Sequence, residues 1–272
     1  MASKADYLMG ISDAEFERLK LQGAYLEPMT RRLIREAGIG PGMRVLDIGC
    51  GGGDVSMLLA EAVGPSGHVV AIDREERAVG LAFARAQQAG LDRIEFVLTT
   101  DEEFTGFAPF DAAVGRYVLF HQPDPAAMIR RAAAAVRPGG VVAFHEMVVS
   151  AEALAIPPLE LWTRLARSAY GAARAGLPSP DAGGRLTPLF EDAGLPAPQV
   201  FHECLAGGPE SLMISWLIMG YQTLLPFIDR KGLERADVGE MDSLRDRLVA
   251  VARAARTQFI SNPEACGWVV RP

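Results

Sequence analysis

Between Arg44 and Met147 short apolar runs alternate with longer segments whose apolar residues recur every three to four positions. Arg44–Ile48, His68–Asp73, Ile94–Leu98, Phe110–Gly115 and Val141–Met147 read as buried strands, and Asp54–Val63, Glu75–Ala89 and Asp124–Val136 as helices. Strands alternating with helices predict βαβ units, so the fold class is α/β, a doubly wound and mostly parallel sheet. Upstream, Ser12–Ala37 is helical in pattern, with Pro28 as a break or restart. Downstream of Met147 the rhythm changes. Ala151–Ala175 reads as helix, Leu177–Asp181 as a break, Arg185–Ala193 as helix and Gln199–Leu205 as strand. Pro209–Ile228 and Met241–Ile260 read as two further helices, and CGWVVR, from Cys266 to Arg271, as a last strand.

The first strand runs into VLDIGCGGGD, from Val45 to Asp54. Glycines between a strand and a helix let backbone approach a ligand closely, and the helix N-terminal amides point into the same space. The loop is thus a cradle for a nucleotide-like cofactor. A phosphate loop would need GxxxxGK[ST], and no Lys follows. A dinucleotide fingerprint GxGxxG fails from Gly49, where the third position is Asp54, and from Gly51, where it is Ser56. The spacing that fits is DxGxGxG, on Asp47, Gly49, Gly51 and Gly53.

With these residues the chain resembles the class I S-adenosylmethionine-dependent methyltransferases of the small-molecule type. VVAID ends the second strand on Asp73, FDAAVGRYVLFHQPDP resembles the family's fourth strand and following loop, and VRPGGVVAFHE its RPGG turn and fifth strand. RLTPLFEDAGL and CGWVVRP resemble the helix before strand six and the closing strand. The resemblance implies a seven-stranded Rossmann-like sheet with S-adenosylmethionine as cofactor. It implies cofactor contacts at Asp47, Gly49, Cys50, Gly51, Gly53, Asp73, Arg74, Thr100, Asp101 and Arg116. Asp47 would order the ammonium end, and Asp73 would accept both ribose hydroxyls, a pairing that suits a diol and repels phosphate. Asp101, or Thr100 in its place, would meet the adenine amino group. The Arg116 backbone would pass under the methionine end, its side chain in reach of the carboxylate.

Segments 1–37, 151–178 and 209–262 exceed a bare core of this type and are rich in large apolar residues. The expected organisation is an N-terminal helical cap at 1–37, a cofactor-binding core at 38–150 and a helical lid insertion at 151–178. Core helix and strand six follow at 179–208, a second lid insertion at 209–262, and the final core strand at 263–272. Candidate substrate-wall residues are Tyr7, Phe16, Tyr25, Trp162, Tyr170, Trp216, Met219 and Tyr221; for any single one, ordinary core packing is the stronger competing reading.

Methyl transfer from a sulfonium needs alignment and exclusion of water, and a hydroxyl or carbon acceptor also needs a base. The candidates are His121, in the loop after strand four, where a loop-anchoring hydrogen bond is an equal reading, and His145 and Glu146, which close strand five; Glu146 is favoured of that pair, as a base or as a partner for a substrate amine. His145 points to the opposite strand face and reads as structural, while His68 and His202 read as structural or exposed.

Composition narrows the acceptor. The 272 residues carry a net charge of -7, which argues against a dedicated nucleic-acid partner. Three dispersed cysteines support neither a zinc site nor a disulfide framework, and no metal is expected. With no secretory core and no run read as long enough to span a membrane, the expectation is a cytoplasmic enzyme with a small organic substrate, compatible with a homodimer. Chemistry on O, N or C fits these motifs. Non-methylating use of the cofactor also fits, by side-chain cyclisation or a pericyclic reaction, as does, more weakly, RNA or protein methylation.

Overall fold

The computed structural model describes residues 13–104, 109–150 and 152–272. They divide into two compact units: one comprises residues up to Tyr25, Val149–Pro180 and Cys204–Pro263, the other Leu26–Val148, Asp181–Glu203 and Glu264–Pro272.

The second unit is built on a seven-stranded sheet. Its strands are β1 (Arg44–Ile48), β2 (His68–Asp73), β3 (Ile94–Leu98), β4 (Phe110–Arg116), β5 (Val136–Met147), β7 (Gln199–Glu203) and β10 (Glu264–Val270). Their order is β3-β2-β1-β4-β5-β10-β7. All neighbours pair parallel except β10, which is antiparallel to both β5 and β7. The chain winds outward from β1 in one direction and from β4 in the other, so the switch in strand order, where such sheets hold ligands beyond their carboxyl ends, lies between β1 and β4. Because β10 runs backwards, its first residue, Glu264, lies at that same end, in register with Met147.

Helices α2 (Asp54–Val63), α3 (Glu76–Gln88), α4 (Pro125–Ala135) and α6 (Leu186–Asp192) follow the strands. The core under α2 is made of aliphatic strand and helix faces, among them Val45, Leu59, Val69, Ala112 and Ala143, all solvent-free. Helix α1 (Asp13–Glu36) runs through Pro28 without the expected break. A proline inside a helix costs about 3 kcal/mol. Leu26, Met29, Leu33 and Ile34, on the helical stripe that flanks it, are buried, and at roughly 1.5–3 kcal/mol each this burial outweighs the defect.

The first unit holds α5 (Glu160–Gly176), α7 (Leu212–Lys231) and α8 (Leu244–Ala255), with α7 packed on both other helices, and a small antiparallel sheet of β6 (Leu154–Ile156), β9 (Gln258–Ile260) and β8 (Ala206–Gly207), in the order β6-β9-β8, whose β6 packs on α5. The sequence pattern predicted helix through both β6 and β9. Pro157 and Pro158 forbid helical hydrogen bonding there and delay α5 to Glu160. Arg256 adopts φ 54° and closes α8 before β9 begins. Helix α7 is also long and apolar enough, by length and composition alone, to cross a bilayer, contrary to the sequence expectation; half of that stretch is buried, as in a core helix.

Candidate functional site

Strand β1 delivers the glycine loop to the switch point. The Gly49 and Cys50 amides both donate to the Ile72 carbonyl at 2.9 Å, which ties the loop to β2. Gly49 has φ +69°, and a Cβ there would stand 2.5 Å from Val118 Cγ1. Gly51 has φ +50° and nothing within 4 Å of a built Cβ, so this peptide faces open space. A backbone bend pinned on one side and open on the other is the surface an S-adenosylmethionine cradle needs, and the residues around it fit that group.

Asp73, at the end of β2, accepts the Gly51 amide on Oδ2 at 2.9 Å and the Glu75 amide on Oδ1 at 3.0 Å. Two fixed amides orient the carboxylate, and each oxygen keeps a second lone pair for a diol. Asp47 is fully buried and accepts from Ser56 Oγ at 2.5 Å. Burial pushes its carboxyl up to about 7, against the Ser56 bond and the nearby Arg116 charge. Burial likewise drives the Cys50 thiol up, so Cys50 is present as the neutral thiol and offers no thiolate.

Arg85, on α3, donates to the Gly52 carbonyl and forms an ion pair with Asp54 at 2.7 Å, clamping the loop from the side. Sequence reading missed it, because a single Arg on an amphipathic helix carries no such signal. Arg74 approaches Glu75 at 3.9 Å. Thr100 Oγ1 accepts the Glu103 amide at 3.1 Å. Asp101 is turned onto Arg131, which donates through Nε at 2.7 Å and Nη2 at 2.6 Å, so its carboxylate is engaged with α4.

At the end of β4, Arg116 Nη1 donates to Thr30 Oγ1 at 3.1 Å. The next residue, Tyr117, has φ 58° and leads into a single 3-10 turn, Leu119–His121. Glu146 is fully buried on β5, and its Oε1 accepts the Val118 and Leu119 amides, each at 2.9 Å. This carboxyl thus caps the turn that ends at His121. Burial pushes it up to about 8, although those amides pull the other way. The His121 ring packs edge-on against Phe120 at 4.6 Å. His145, on the other face of β5, is fully buried, and burial reinforced by Arg116 holds its imidazole down at about 3.

Of the expected substrate-wall residues, Tyr7 lies outside the described residues. Tyr25 and Trp216 are buried and stack at 5.4 Å in the first unit. The Trp216 indole nitrogen is buried with no partner among the described residues. In the same unit Trp162 donates to the Ala153 carbonyl at 3.1 Å and packs on Phe259, Tyr170 donates to Asn262 Oδ1 at 2.5 Å, and the Tyr221 hydroxyl accepts the Ala236 amide at 2.9 Å.

Known proteins share both the sequence motifs and the fold. The methyltransferase domain family matches residues 39–194. The ubiquinone biosynthesis O-methyltransferase of Aromatoleum aromaticum is 40% identical over 112 residues, which cover 40% of this chain and 46% of that protein. Aklanonic acid methyltransferase DauC of Streptomyces sp. strain C5 is 34% identical over 151 residues, covering 55% and 67% respectively. The chain spans about half the length of the ubiquinone-related proteins it matches. Among solved structures, a candidate methyltransferase of Bacillus halodurans C-125 superposes with a TM-score of 0.59 at 18% identity, covering 89% of this chain and 98% of that one. The [4+2]-cyclase SpnF does so with a TM-score of 0.54 at 18% identity, covering 90% and 80%; at such identity the likeness is one of fold. With more than half of its length matched by that family, this chain belongs to the class I S-adenosylmethionine-dependent methyltransferases.

Proposed function

We propose that the enzyme methylates a hydroxyl oxygen of a small aromatic molecule. The observation that carries this reading is the similarity to O-methyltransferases, at 36–40% identity over 112 to 130 residues. The aklanonic acid methyltransferase similarity and the acidic net charge of -7 support a small organic acceptor over a polyanion. When bound, S-adenosylmethionine supplies an electrophilic methyl on a sulfonium. The chain's own part is to hold the ribose on Asp73, keep the glycine loop flush beneath the methionine end and keep water out.

Within this reading Glu146 anchors the turn after β4, because its accepting oxygen is already committed to two amides and a base must reach the proton it removes.

The test is incubation with S-adenosylmethionine and a panel of phenols, catechols and aromatic amines, following nucleoside products by chromatography. Adenosylhomocysteine formed in equal amount with a methyl ether is the expected result. Methylthioadenosine without an acceptor, or product only with amines, would overturn it.

A further inference from the structure

A line of polar groups runs through the carboxyl end of the sheet unit. Arg116 donates to Thr30 Oγ1, which lies 3.1 Å from His145 Nδ1. On the far side of the ring, His145 Nε2 lies 3.4 Å from Glu264 Oε2. The Tyr117 hydroxyl donates to Glu264 Oε1 at 2.7 Å. Thr30, His145 and Glu264 are fully buried.

Three features set this line apart from core packing. A carboxyl buried without a salt-bridged cation is costly, and an apolar side chain would fill the same space at no such cost. Among the described residues His145 Nε2 and Glu264 Oε2, both buried, find no hydrogen-bond partner, yet they lie 3.4 Å from each other. Tyr117 holds a left-handed backbone, which costs a non-glycine residue about 1–3 kcal/mol. Tyr117 follows directly on the end of β4, and its hydroxyl reaches Glu264, the first residue of β10. The Thr30 hydroxyl donates to the Leu26 carbonyl at 3.2 Å and lies 3.1 Å from His145 Nδ1, which ties the ring to α1.

We propose that Tyr117 and Glu264 form a proton relay for the methyl acceptor, Tyr117 being the group that touches the acceptor hydroxyl and Glu264 the store behind it. The proposal rests on the O-methylation reading. The acceptor O–H bond breaks and its proton joins Tyr117 Oη, while the proton Tyr117 held passes to Glu264 Oε1. The pair left on the acceptor oxygen forms the bond to the methyl carbon, and the pair of the broken S–C bond stays on sulfur. One negative charge, on Glu264, and one positive charge, on the sulfonium, disappear together. His145 is a positioning residue that steadies Glu264.

The relay needs Glu264 ionised. Burial pushes this carboxyl up to about 8, against the Tyr117 bond and the Arg116 charge. The groups around it are Tyr117 and Arg116 from β4 and its turn, His145 and Glu146 from β5, Cys266 on its own strand and Glu203 opposite on β7. The working form accumulates as pH rises through about 8.

Infrared difference spectra of the adenosylhomocysteine-bound protein across a pH series, with wild type, Y117F and E264Q, read the coupling without turnover. The carboxylic acid band that E264Q removes should titrate near pH 8, and should move to higher pH in Y117F, which loses a donor to the carboxylate. Single-turnover methylation of catechol and 3,4-dihydroxybenzoate reads the chemistry. Both variants should lose about 10²–10⁴ in rate while cofactor affinity measured by calorimetry is kept, and the rise through pH 8 should vanish in E264Q. No band assignable to Glu264, a band indifferent to Y117F, or full rates in both variants would overturn the relay. E264Q keeps the volume and the acceptor for Tyr117, so it remains decisive if Y117F fails to fold. If wild type methylates neither catechol, the O-methylation reading fails on its own and the infrared titration alone decides whether Tyr117 and Glu264 are coupled.

Discussion

Asp73 holds the loop with the same two oxygens that we propose grip the ligand's diol. Two amides hold it in place, and the lone pairs they leave face the space above Gly51. Asp73→Ala should weaken S-adenosylmethionine binding by about 1–3 kcal/mol, the worth of hydrogen bonds to a charged group, as read by calorimetry; unchanged affinity would remove the diol assignment. Glu146 separates support from chemistry in the same way. Glu146→Ala leaves two buried amides unpaired and should cost about 1–3 kcal/mol for each in urea unfolding, whereas Glu146→Gln keeps one acceptor and should cost less. If Glu146 anchors the turn, Gln should leave the single-turnover rate within about tenfold; a loss as large as that of a removed general base would make it the base instead.

At the scale of elements, the loop between β1 and α2 was the most legible part of the sequence, because every feature that makes it a cradle is a local residue type. Two of its glycines should respond differently to Ala. Gly49→Ala combines positive φ with a 2.5 Å approach to Val118 and should destabilise the fold. Gly51→Ala meets nothing, so its folding cost should be near the roughly 1–2 kcal/mol of the left-handed backbone alone, while cofactor binding should fall at least about tenfold if, as proposed, the ligand lies on that open side. Thermal unfolding with and without cofactor distinguishes the two. The strand and helix alternation of the sheet unit was equally readable, since each element declares itself by its own period. What sequence could not show were partnerships across long separations. Arg85 on Gly52, Arg131 on Asp101 and Tyr117 on Glu264 join residues between 30 and 147 positions apart. Glu264 is one acid before an apolar run, and nothing local marks it. Strands β6 and β9 were missed for a related reason: three-residue strands flanked by helical patterns have no period of their own.

At the scale of the whole molecule, the buried acids tie stability to pH. Asp47 is raised from 3.8 to about 7, and Glu146 and Glu264 from 4.5 to about 8, in each case chiefly by burial. A carboxyl raised in this way favours the folded state fully below its unfolded value, and that contribution is lost as pH climbs through the folded one, because the unfolded chain releases the proton first. His145 has the opposite sense: lowered from 6.5 to about 3, it contributes above 6.5 and loses that contribution as pH falls. Between about pH 6.5 and 8 the carboxyls act alone, each able to contribute up to about 1.4 kcal/mol per pH unit. Urea unfolding of the cofactor-free protein should therefore show stability falling from pH 6.5 to 8.5, and Glu264→Gln should flatten the slope by the share of one group. A flat wild-type profile would mean that these acids do not keep their protons on folding. The pH at which Glu264 ionises for the relay is then also the pH by which the empty protein has lost what these carboxyls contribute. Bound cofactor restores stability by mass action, so the pH slope should persist with saturating adenosylhomocysteine on a curve displaced upward.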